Sequence, residues 1–314
     1  MAEFPTDVLE STDKTARWRA LVRALRPAAY VKNAFVAAPL IFTHHLLDPE
    51  VALRVGLGVA LFCGLSSAVY LINDVRDREI DRQHPLHRHR PVASGALPVG
   101  TALGAAAVLL VLGLGGAFWL DPAFGVVALG YVTLQLLYSA GMKHWSVVEL
   151  LGVALGFVLR VMAGGFLVRV PASAWIILAT FFLALTLVIG KRRAEQIRFD
   201  RLGQTPVRPV LRKYPSGWLD QGMGVAATAA ILTYALYCVS PRGLAVGGEG
   251  MVFTVIPVVV GLLRFLQLVS LGEMSEELGR VLFRDRLLLL TVLVWVLMIV
   301  ALIYTPLGGL RWSM

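Results

Sequence analysis

The sequence has little charge for its length. Only 16% of its 314 residues are charged and 57% are hydrophobic, whereas about 25% of the residues in a soluble domain are charged. This composition excludes an ordinary soluble protein. Its long apolar runs of about 20 residues are long enough to cross the hydrocarbon core of a bilayer. We therefore expect a polytopic integral membrane protein.

Cysteine is also scarce, and no secretion signal is evident. Cys63 and Cys238 lie inside apolar runs, so they offer neither a disulfide framework nor the spacing of a metal site. Residues 1–26 lack the apolar core of a cleavable signal peptide. We expect them to form a cytosolic N-terminal segment, followed by a single transmembrane domain over residues 27–314.

The apolar runs predict an all-α fold with nine transmembrane helices. The predicted spans lie near residues 30–47, 51–72, 101–119, 122–140, 146–166, 172–191, 222–240, 250–269 and 286–308. Between them are two long charged loops, near residues 73–100 and 191–221. A transporter built from inverted repeats would often show matching broken helices in its two halves, and no internal repeat is visible.

The basic residues predict the orientation. With the N-terminus inside, most of the 29 Lys and Arg residues fall on the cytosolic side, and the opposite side keeps only Arg54, Arg169, Arg242 and Arg311. This asymmetry follows the positive-inside rule and explains the net charge of +9 without a nucleic-acid partner. We expect a plasma-membrane protein whose active site faces the cytosol and whose C-terminus lies outside.

Acidic residues are concentrated after the second predicted span, in YLINDVRDREIDRQHPLHRHRPVASG (70–95). If the helix continues, a rotation of 100° per residue puts Asn73, Asp74, Asp77 and Asp81 on one face. Crowded carboxylates at a membrane helix require a cation, and oxygen ligands that work with substrate phosphates suit Mg²⁺. The alternative is ordinary ion pairing with the neighbouring arginines, Arg76, Arg78 and Arg82.

The run NDVRDREIDR, with the RPVASG that follows it, resembles the first aspartate-rich motif of the UbiA superfamily of intramembrane prenyltransferases. The resemblance implies a nine-helix bundle around a central cavity, in which two acidic motifs hold Mg²⁺ and a diphosphate. The second acidic motif is missing. At its place the chain reads GKRRAEQIRFDRLG (190–203).

Cations in place of the second motif change the expected substrate, because Lys and Arg contact phosphate oxygens directly. Together with RPAAYVKN (26–33), YSAGMKHWSVVEL (138–150) and RDR (284–286), the pattern resembles a superfamily branch that transfers phosphoribosyl groups to decaprenyl phosphate. That resemblance implies that phosphoribosyl pyrophosphate carries the diphosphate and that the polyprenyl phosphate attacks. The product, decaprenylphosphoryl-5-phosphoribose, would supply cell-wall arabinan synthesis.

The position of each motif predicts a role for its residues. Asn73, Asp74, Asp77 and Asp81 are the expected ligands of Mg²⁺ and pyrophosphate. Catalysis is expected to depend on Asp77, Asp81 and Lys191. The expected contacts to substrate phosphates and to the sugar are Lys32, Arg88, Arg90, Lys143, Arg160, Arg192 and Glu195.

Several alternatives stay open at the level of sequence. An ordinary UbiA-type aromatic prenyltransferase using a polyprenyl diphosphate is one, and a membrane transporter is another. His84, His87 and His89 could hold zinc, although no cysteine accompanies them. Arg264 lies within a predicted span, where it would either take part in the function or extend its charge to the cytosolic membrane interface. Faces rich in small residues would permit a homo-oligomer.

Overall fold

The computed structural model describes residues 6–83, 87–201, 209–215, 217–273 and 284–306, with side chains from residue 15 onward. Within these ranges the chain is helical and contains no β-strand, so the predicted all-α fold is confirmed. The α-helices are α1 (Thr6–Ala24), α2 (Ala34–Ile41), α3 (Pro49–Arg76), α4 (Arg78–Gln83), α5 (Val99–Leu120), α6 (Pro122–Ala140), α7 (Val148–Leu167), α8 (Ala174–Arg201), α9 (Trp218–Val239), α10 (Pro241–Gly247), α11 (Val255–Ser270) and α12 (Arg286–Tyr304). Short 3₁₀ helices occupy Pro27–Asn33, His87–His89, Met142–His144, Pro209–Lys213 and Glu249–Thr254.

Eight helical segments of the described chain are long and apolar enough to cross a membrane. They are α3, α5, α6, α7, α8, α9, α12 and the segment Glu249–Ser270, in which a 3₁₀ turn continues into α11. These segments make the chain a multi-pass membrane protein. The predicted count of nine is not confirmed.

The first predicted span, residues 30–47, is not one continuous helix. A 3₁₀ helix ends at Asn33 and the eight-residue α2 follows. Pro27 starts the 3₁₀ helix, and Pro39 inside α2 lacks the N–H that a regular helix uses. α2 ends at Ile41, and the turn that follows includes His44 with a positive φ of 60°, outside the right-handed helical region.

α8 extends ten residues beyond its predicted end at Lys191, to Arg201. This segment, RRAEQIRFDR, contains no Gly or Pro, and most of its residues are good helix formers. Contacts at i,i+3 spacing support it, because Arg192 lies 3.5 Å from Glu195 and Arg193 lies 3.2 Å from Gln196. The predicted loop after residue 191 therefore begins as helix.

The described residues divide into two compact units. The first takes those within Met1–Ala34 and Leu57–Leu136, and the second those within Phe35–Gly56 and Leu137–Met314. In the first unit, Ala20 and Ala24 of α1 pack with Leu71 of α3 and Ala102 of α5. The small residues let α1 lie close to both longer helices, which fixes the chain just before the 3₁₀ helix Pro27–Asn33.

In the second unit the largest core cluster joins α7, α8, α9 and α11. It includes Leu150, Ile189, Met223 and Phe265. Gly190 lets α8 approach α11, because a Cβ at that position would lie 2.6 Å from Cζ of Phe265. This packing fixes the part of α8 in which Lys191 and Arg192 follow Gly190.

Candidate functional site

The acidic motif lies at the junction of α3 and α4, in the first unit. α3 continues through Asn73 and Asp74, and a turn at Asp77 separates it from α4. The backbone N–H of Asp77 donates to the carbonyl of Asn73 (2.9 Å), and that of Asp81 to the carbonyl of Asp77 (2.8 Å). Helical spacing is thus maintained across the turn. Asp74 and Asp81 are buried, whereas Asn73 and Asp77 are half-buried.

Two arginines distant in sequence neutralise the buried carboxylates. Nη1 of Arg90 lies 2.7 Å from Oδ2 of Asp81 and 3.5 Å from Oδ1 of Asp74. Arg26 also donates to Oδ1 of Asp74. His87 Nδ1 lies 3.2 Å from Oδ1 of Asp81. Arg90 therefore brings the two aspartates together.

The neighbouring arginines are engaged elsewhere. Arg82 bonds Glu79 at 3.1 Å and the carbonyl of Ala93 at 3.1 Å, and Arg78 lies 3.9 Å from Glu79. The contacts of Arg78 and Arg82 therefore do not account for the charges of Asp74 and Asp81. Their positive partners come from the chain before α2 and from the segment after α4.

Asp81 stays ionised at neutral pH. Burial raises the pKa of its carboxyl, but the hydrogen bond with His87 and the charge of Arg90 outweigh burial and hold that pKa below its usual value. The network consequently has a permanent negative charge facing Arg90.

The donor set fits a divalent cation that brings further ligands with it. Oδ2 of Asp74 is buried and accepts no hydrogen bond from any residue that the structure describes, and a buried carboxylate oxygen normally has a partner. Across the described ranges, no three His, Cys, Asp or Glu side chains are grouped closely enough to hold a metal alone. A magnesium ion here would need oxygens from water or a phosphate, which is its usual habit.

The other predicted residues of this unit, Arg88 and Lys32, are exposed. Arg88 is exposed and donates to Nε2 of His89 at 3.3 Å. Lys32 is exposed in the 3₁₀ helix Pro27–Asn33. Of the histidines in the zinc alternative, His84 lies outside the described residues, and His87 contacts Asp81.

The second unit contains a buried ion pair between α7 and α8. Glu149, in the first turn of α7, is fully buried, and Arg192 is only 4% exposed. Nε of Arg192 lies 2.8 Å from Oε1 of Glu149, and Nη2 lies 2.7 Å from Oε2. This is the bidentate arginine–carboxylate geometry. Arg192 is thus committed to Glu149, and its predicted contact with substrate stays a prediction.

Two tyrosines complete this network. The hydroxyl of Tyr138 lies 3.5 Å from Oε2 of Glu149, and that of Tyr214 lies 3.4 Å from Oε1. Tyr214 also accepts a hydrogen bond from the backbone N–H of Val147 (3.1 Å). Val147 has a positive φ of 67°, unusual for a β-branched residue. Burial raises the pKa of Tyr214 to about 12, so its hydroxyl remains a donor.

The predicted ligands around this pair differ in exposure. Lys191 is exposed on α8, and Glu195 lies one turn after it, 3.5 Å from Nη1 of Arg192. Lys143 is half-buried in the 3₁₀ helix Met142–His144. Arg160 is buried in α7, donates to the carbonyl of Gly156 (2.9 Å) and lies over the ring of Phe157.

Arg264 has a structural role. Its Nη2 lies 2.7 Å from Oδ2 of Asp285. Oδ1 of Asp285 accepts a hydrogen bond from the backbone N–H of Leu288 at 2.8 Å, so Asp285 caps α12. The hydrogen bond from Arg264 and that backbone bond hold the pKa of Asp285 below its usual value. Arg264 thus joins α11 to the start of α12.

Sequence reasoning missed three partners. The sequence predicts no contact for Arg26 of the RPAAYVKN segment, and none for Tyr138 or Tyr214. A net-charge argument could have found Arg26, because a buried Asp74 needs a cation. No sequence signal pairs Tyr214 with Glu149, since 65 residues separate them.

These features define a multi-pass membrane protein with a buried acidic site and a buried arginine–glutamate pair. The sequence profile of the UbiA prenyltransferase family matches residues 33–284, and the chain belongs to this family. A decaprenyl-phosphate phosphoribosyltransferase of Mycobacterium tuberculosis is 37% identical over 280 residues, covering 88% of this chain and 91% of that protein.

Two further proteins are similar. A decaprenyl-phosphate phosphoribosyltransferase of Corynebacterium glutamicum is 35% identical over 289 residues, covering 90% of this chain and 86% of that protein. The solved structure of a UbiA homolog from Archaeoglobus fulgidus bound to GPP and Mg²⁺ has a TM-score of 0.65 and 20% identity, covering 89% of this chain and 96% of that one. The similarity to this solved structure shows that the two chains share a fold.

Proposed function

We propose that this protein transfers the 5-phosphoribosyl group of phosphoribosyl pyrophosphate to decaprenyl phosphate, or a similar polyprenyl phosphate, and releases pyrophosphate. The observation that carries the proposal is similarity along most of the chain to relatives with this name, at 35–37% identity. Lys191, exposed on α8 in place of a second acidic motif, supports a substrate pair with more than one phosphate.

Magnesium is the proposed cofactor of the acidic site. Oδ2 of Asp74, buried and without a partner among the described residues, supports this choice, and the proposed ligands are Asn73, Asp74, Asp77 and Asp81. Bound there, the ion would neutralise charge on the departing pyrophosphate.

The proposed reaction exchanges one bond at ribose C1. The bond from C1 to the pyrophosphate oxygen breaks, and an oxygen of the lipid phosphate forms a new bond to C1 from the opposite face. No proton needs to move, because the attacking phosphate is already an anion. Inversion at C1 follows from the direction of attack.

The protein residues would act by charge. Arg90, already between Asp74 and Asp81, would stabilise negative charge on the leaving pyrophosphate. Lys191 and Glu195 are proposed to bind the phosphoribosyl portion. Arg88, Lys32, Lys143 and Arg160 are proposed contacts to substrate phosphates, and Arg192 supports Lys191 through its pair with Glu149.

We also propose the cellular setting. The protein would lie in the plasma membrane with residues 1–26 and the active site on the cytosolic side, and with the C-terminus outside. The one-sided distribution of Lys and Arg supports this orientation. Residues 27–314 would act as one transmembrane domain, and association into homo-oligomers would be compatible with it.

One assay tests the proposed function. Purified protein in detergent is incubated with labelled phosphoribosyl pyrophosphate, decaprenyl phosphate and Mg²⁺, and the organic phase is analysed for labelled lipid. We expect a labelled product that requires both substrates and disappears with EDTA. An absence of product, together with prenylation of 4-hydroxybenzoate from a polyprenyl diphosphate, would assign the chain to aromatic prenyl transfer instead.

A further inference from the structure

Asp74 has an asymmetric environment. One carboxylate oxygen, Oδ1, contacts both Arg26 and Arg90, while Oδ2 is buried without a partner among the described residues. The residue itself is 1% exposed. One oxygen is therefore neutralised by protein cations, and the other is available to a ligand.

Arg26 is held in place from several sides. Its backbone lies in the left-handed region, with φ 55° and ψ 59°, immediately before Pro27, where an extended conformation is usual. Ser67 of α3 donates to the carbonyl of Leu25 (2.9 Å) and contacts the hydroxyl of Tyr30 (2.9 Å). The guanidinium lies 4.9 Å from the centre of the Tyr70 ring. A conformation of this kind persists only where its surroundings enforce it.

The charges of the buried network balance. Asp74 and Asp81 bring two negative charges, and Arg26 and Arg90 bring two positive charges. A divalent cation arriving alone would meet no net negative charge from these four groups and only one negative charge more from Asp77, the remaining proposed carboxylate ligand, while two guanidinium groups would repel it. Free metal should therefore bind weakly.

A diphosphate changes this balance. Its oxygens supply the negative charge that the four residues lack and the metal ligands that the protein does not group together. Guanidinium groups bind phosphate oxygens strongly. Arg26 and Arg90, which repel a bare divalent cation, would therefore attract a metal–diphosphate complex.

We propose that Arg26 and Arg90 are built-in counter-ions that make the acidic site bind a metal–diphosphate complex in preference to a bare divalent cation. Arg26 is thereby a positioning residue for Asp74. This inference rests on the part of the proposed function that assigns a metal and a diphosphate to Asp74 and Asp81.

Equilibrium dialysis tests the proposal without turnover. Detergent-solubilised protein is dialysed against Mn²⁺, as a stand-in for Mg²⁺, with and without inorganic pyrophosphate, and both bound ligands are measured. For the native chain we expect pyrophosphate to strengthen Mn²⁺ binding by about tenfold or more, and Mn²⁺ to strengthen pyrophosphate binding by the same factor.

Substitutions of Arg26 separate charge from shape. Arg26→Met removes the charge, so bare Mn²⁺ should bind about 3- to 10-fold more tightly while the enhancement by pyrophosphate falls. Arg26→Lys keeps the charge and should retain most of the enhancement. Arg19→Met, at an exposed position of α1, is the matched control and should behave like the native chain.

Two results would overturn the inference. One is native protein that binds Mn²⁺ equally well with and without pyrophosphate, and the other is an Arg26→Met protein with unchanged binding of both ligands. If thermal unfolding shows that Arg26→Met does not fold, Arg90→Met tests the same charge. Failure of phosphoribosyl transfer with normal coupled binding would reject the proposed function alone, whereas transfer with uncoupled Mn²⁺ binding would reject this inference alone.

Discussion

Glu149 and Arg192 form the most deeply buried charged pair among the described residues of the second unit. Neither side chain is more than 5% exposed. Desolvation of both charges is offset by the bidentate geometry and by hydrogen bonds that Tyr138 and Tyr214 donate to Glu149. The pair therefore contributes more to a defined arrangement of α7 and α8 than to net stability, and that arrangement sets the position of Lys191 on α8.

Removing Glu149 alone should destabilise the protein severely. Glu149→Leu leaves the charge of Arg192 buried without its carboxylate, which costs about 3–5 kcal/mol. Glu149→Leu combined with Arg192→Met should recover much of that loss, because no charge is then buried. Thermal unfolding in detergent, arranged as a double-mutant cycle, measures the coupling.

The half-exposed pair Arg193–Asp220 is the matched comparison. Its side chains are 25% and 42% exposed at a distance of 2.8 Å, so Asp220→Leu should cost at most about 1 kcal/mol. Equal losses for Glu149→Leu and Asp220→Leu would contradict the importance of burial. Retained stability with lost phosphoribosyl binding in the double variant would indicate that the pair positions Lys191.

At the scale of elements, α2 depends on a glycine of α7. A Cβ at Gly164 would lie 2.0 Å from the carbonyl oxygen of Val36 and 3.0 Å from Cδ of Pro39. Phe35 packs edge-on against Phe157 of α7, with ring centres 5.0 Å apart. A short helix interrupted by proline is thus kept in place by close packing on its neighbour.

Gly164→Ala should separate α2 from α7. The contact is with backbone, which cannot rotate away, so we expect a loss of about 1–3 kcal/mol and easier proteolysis near residues 42–48. Gly130→Ala in α6 is the control, since nothing lies within 4 Å of a Cβ there, and it should be neutral or slightly stabilising. Identical unfolding temperatures for the two variants would exclude a tight α2–α7 contact.

At the scale of the whole molecule, hydropathy predicted eight of the spans, and for seven of them both ends lie within four residues of those in the structure. It failed at residues 30–47, because an apolar run does not reveal that Pro39 and a left-handed His44 interrupt the helix. It also ends α8 too early, because hydropathy falls at the first charged residues, although RRAEQIRFDR favours helix on propensity.

In the candidate site, too, some features could be predicted from the sequence and others could not. The clustering of the aspartates could be predicted from helical periodicity, since Asp74 and Asp81 are seven residues apart and both contact Arg90. The counter-ion Arg26, 48 residues from Asp74, and the contact between Tyr214 and Glu149 depend on tertiary packing. Periodicity within one helix carries no information about such contacts.

The distribution of charge over the whole chain predicts its orientation. If positive-inside holds, Arg19 in α1 lies on the cytosolic side, and Leu47, 80% exposed before α3, lies outside. Single cysteines introduced by Arg19→Cys and Leu47→Cys, in a background with Cys63→Ala and Cys238→Ala, can be labelled with a membrane-impermeant maleimide. In intact cells we expect label on residue 47 and none on residue 19, and after permeabilisation label on both.

The reverse pattern would put Lys191 and the aspartates on the outer face, away from cytosolic phosphoribosyl pyrophosphate. That result would contradict both the proposed substrate and the proposed orientation.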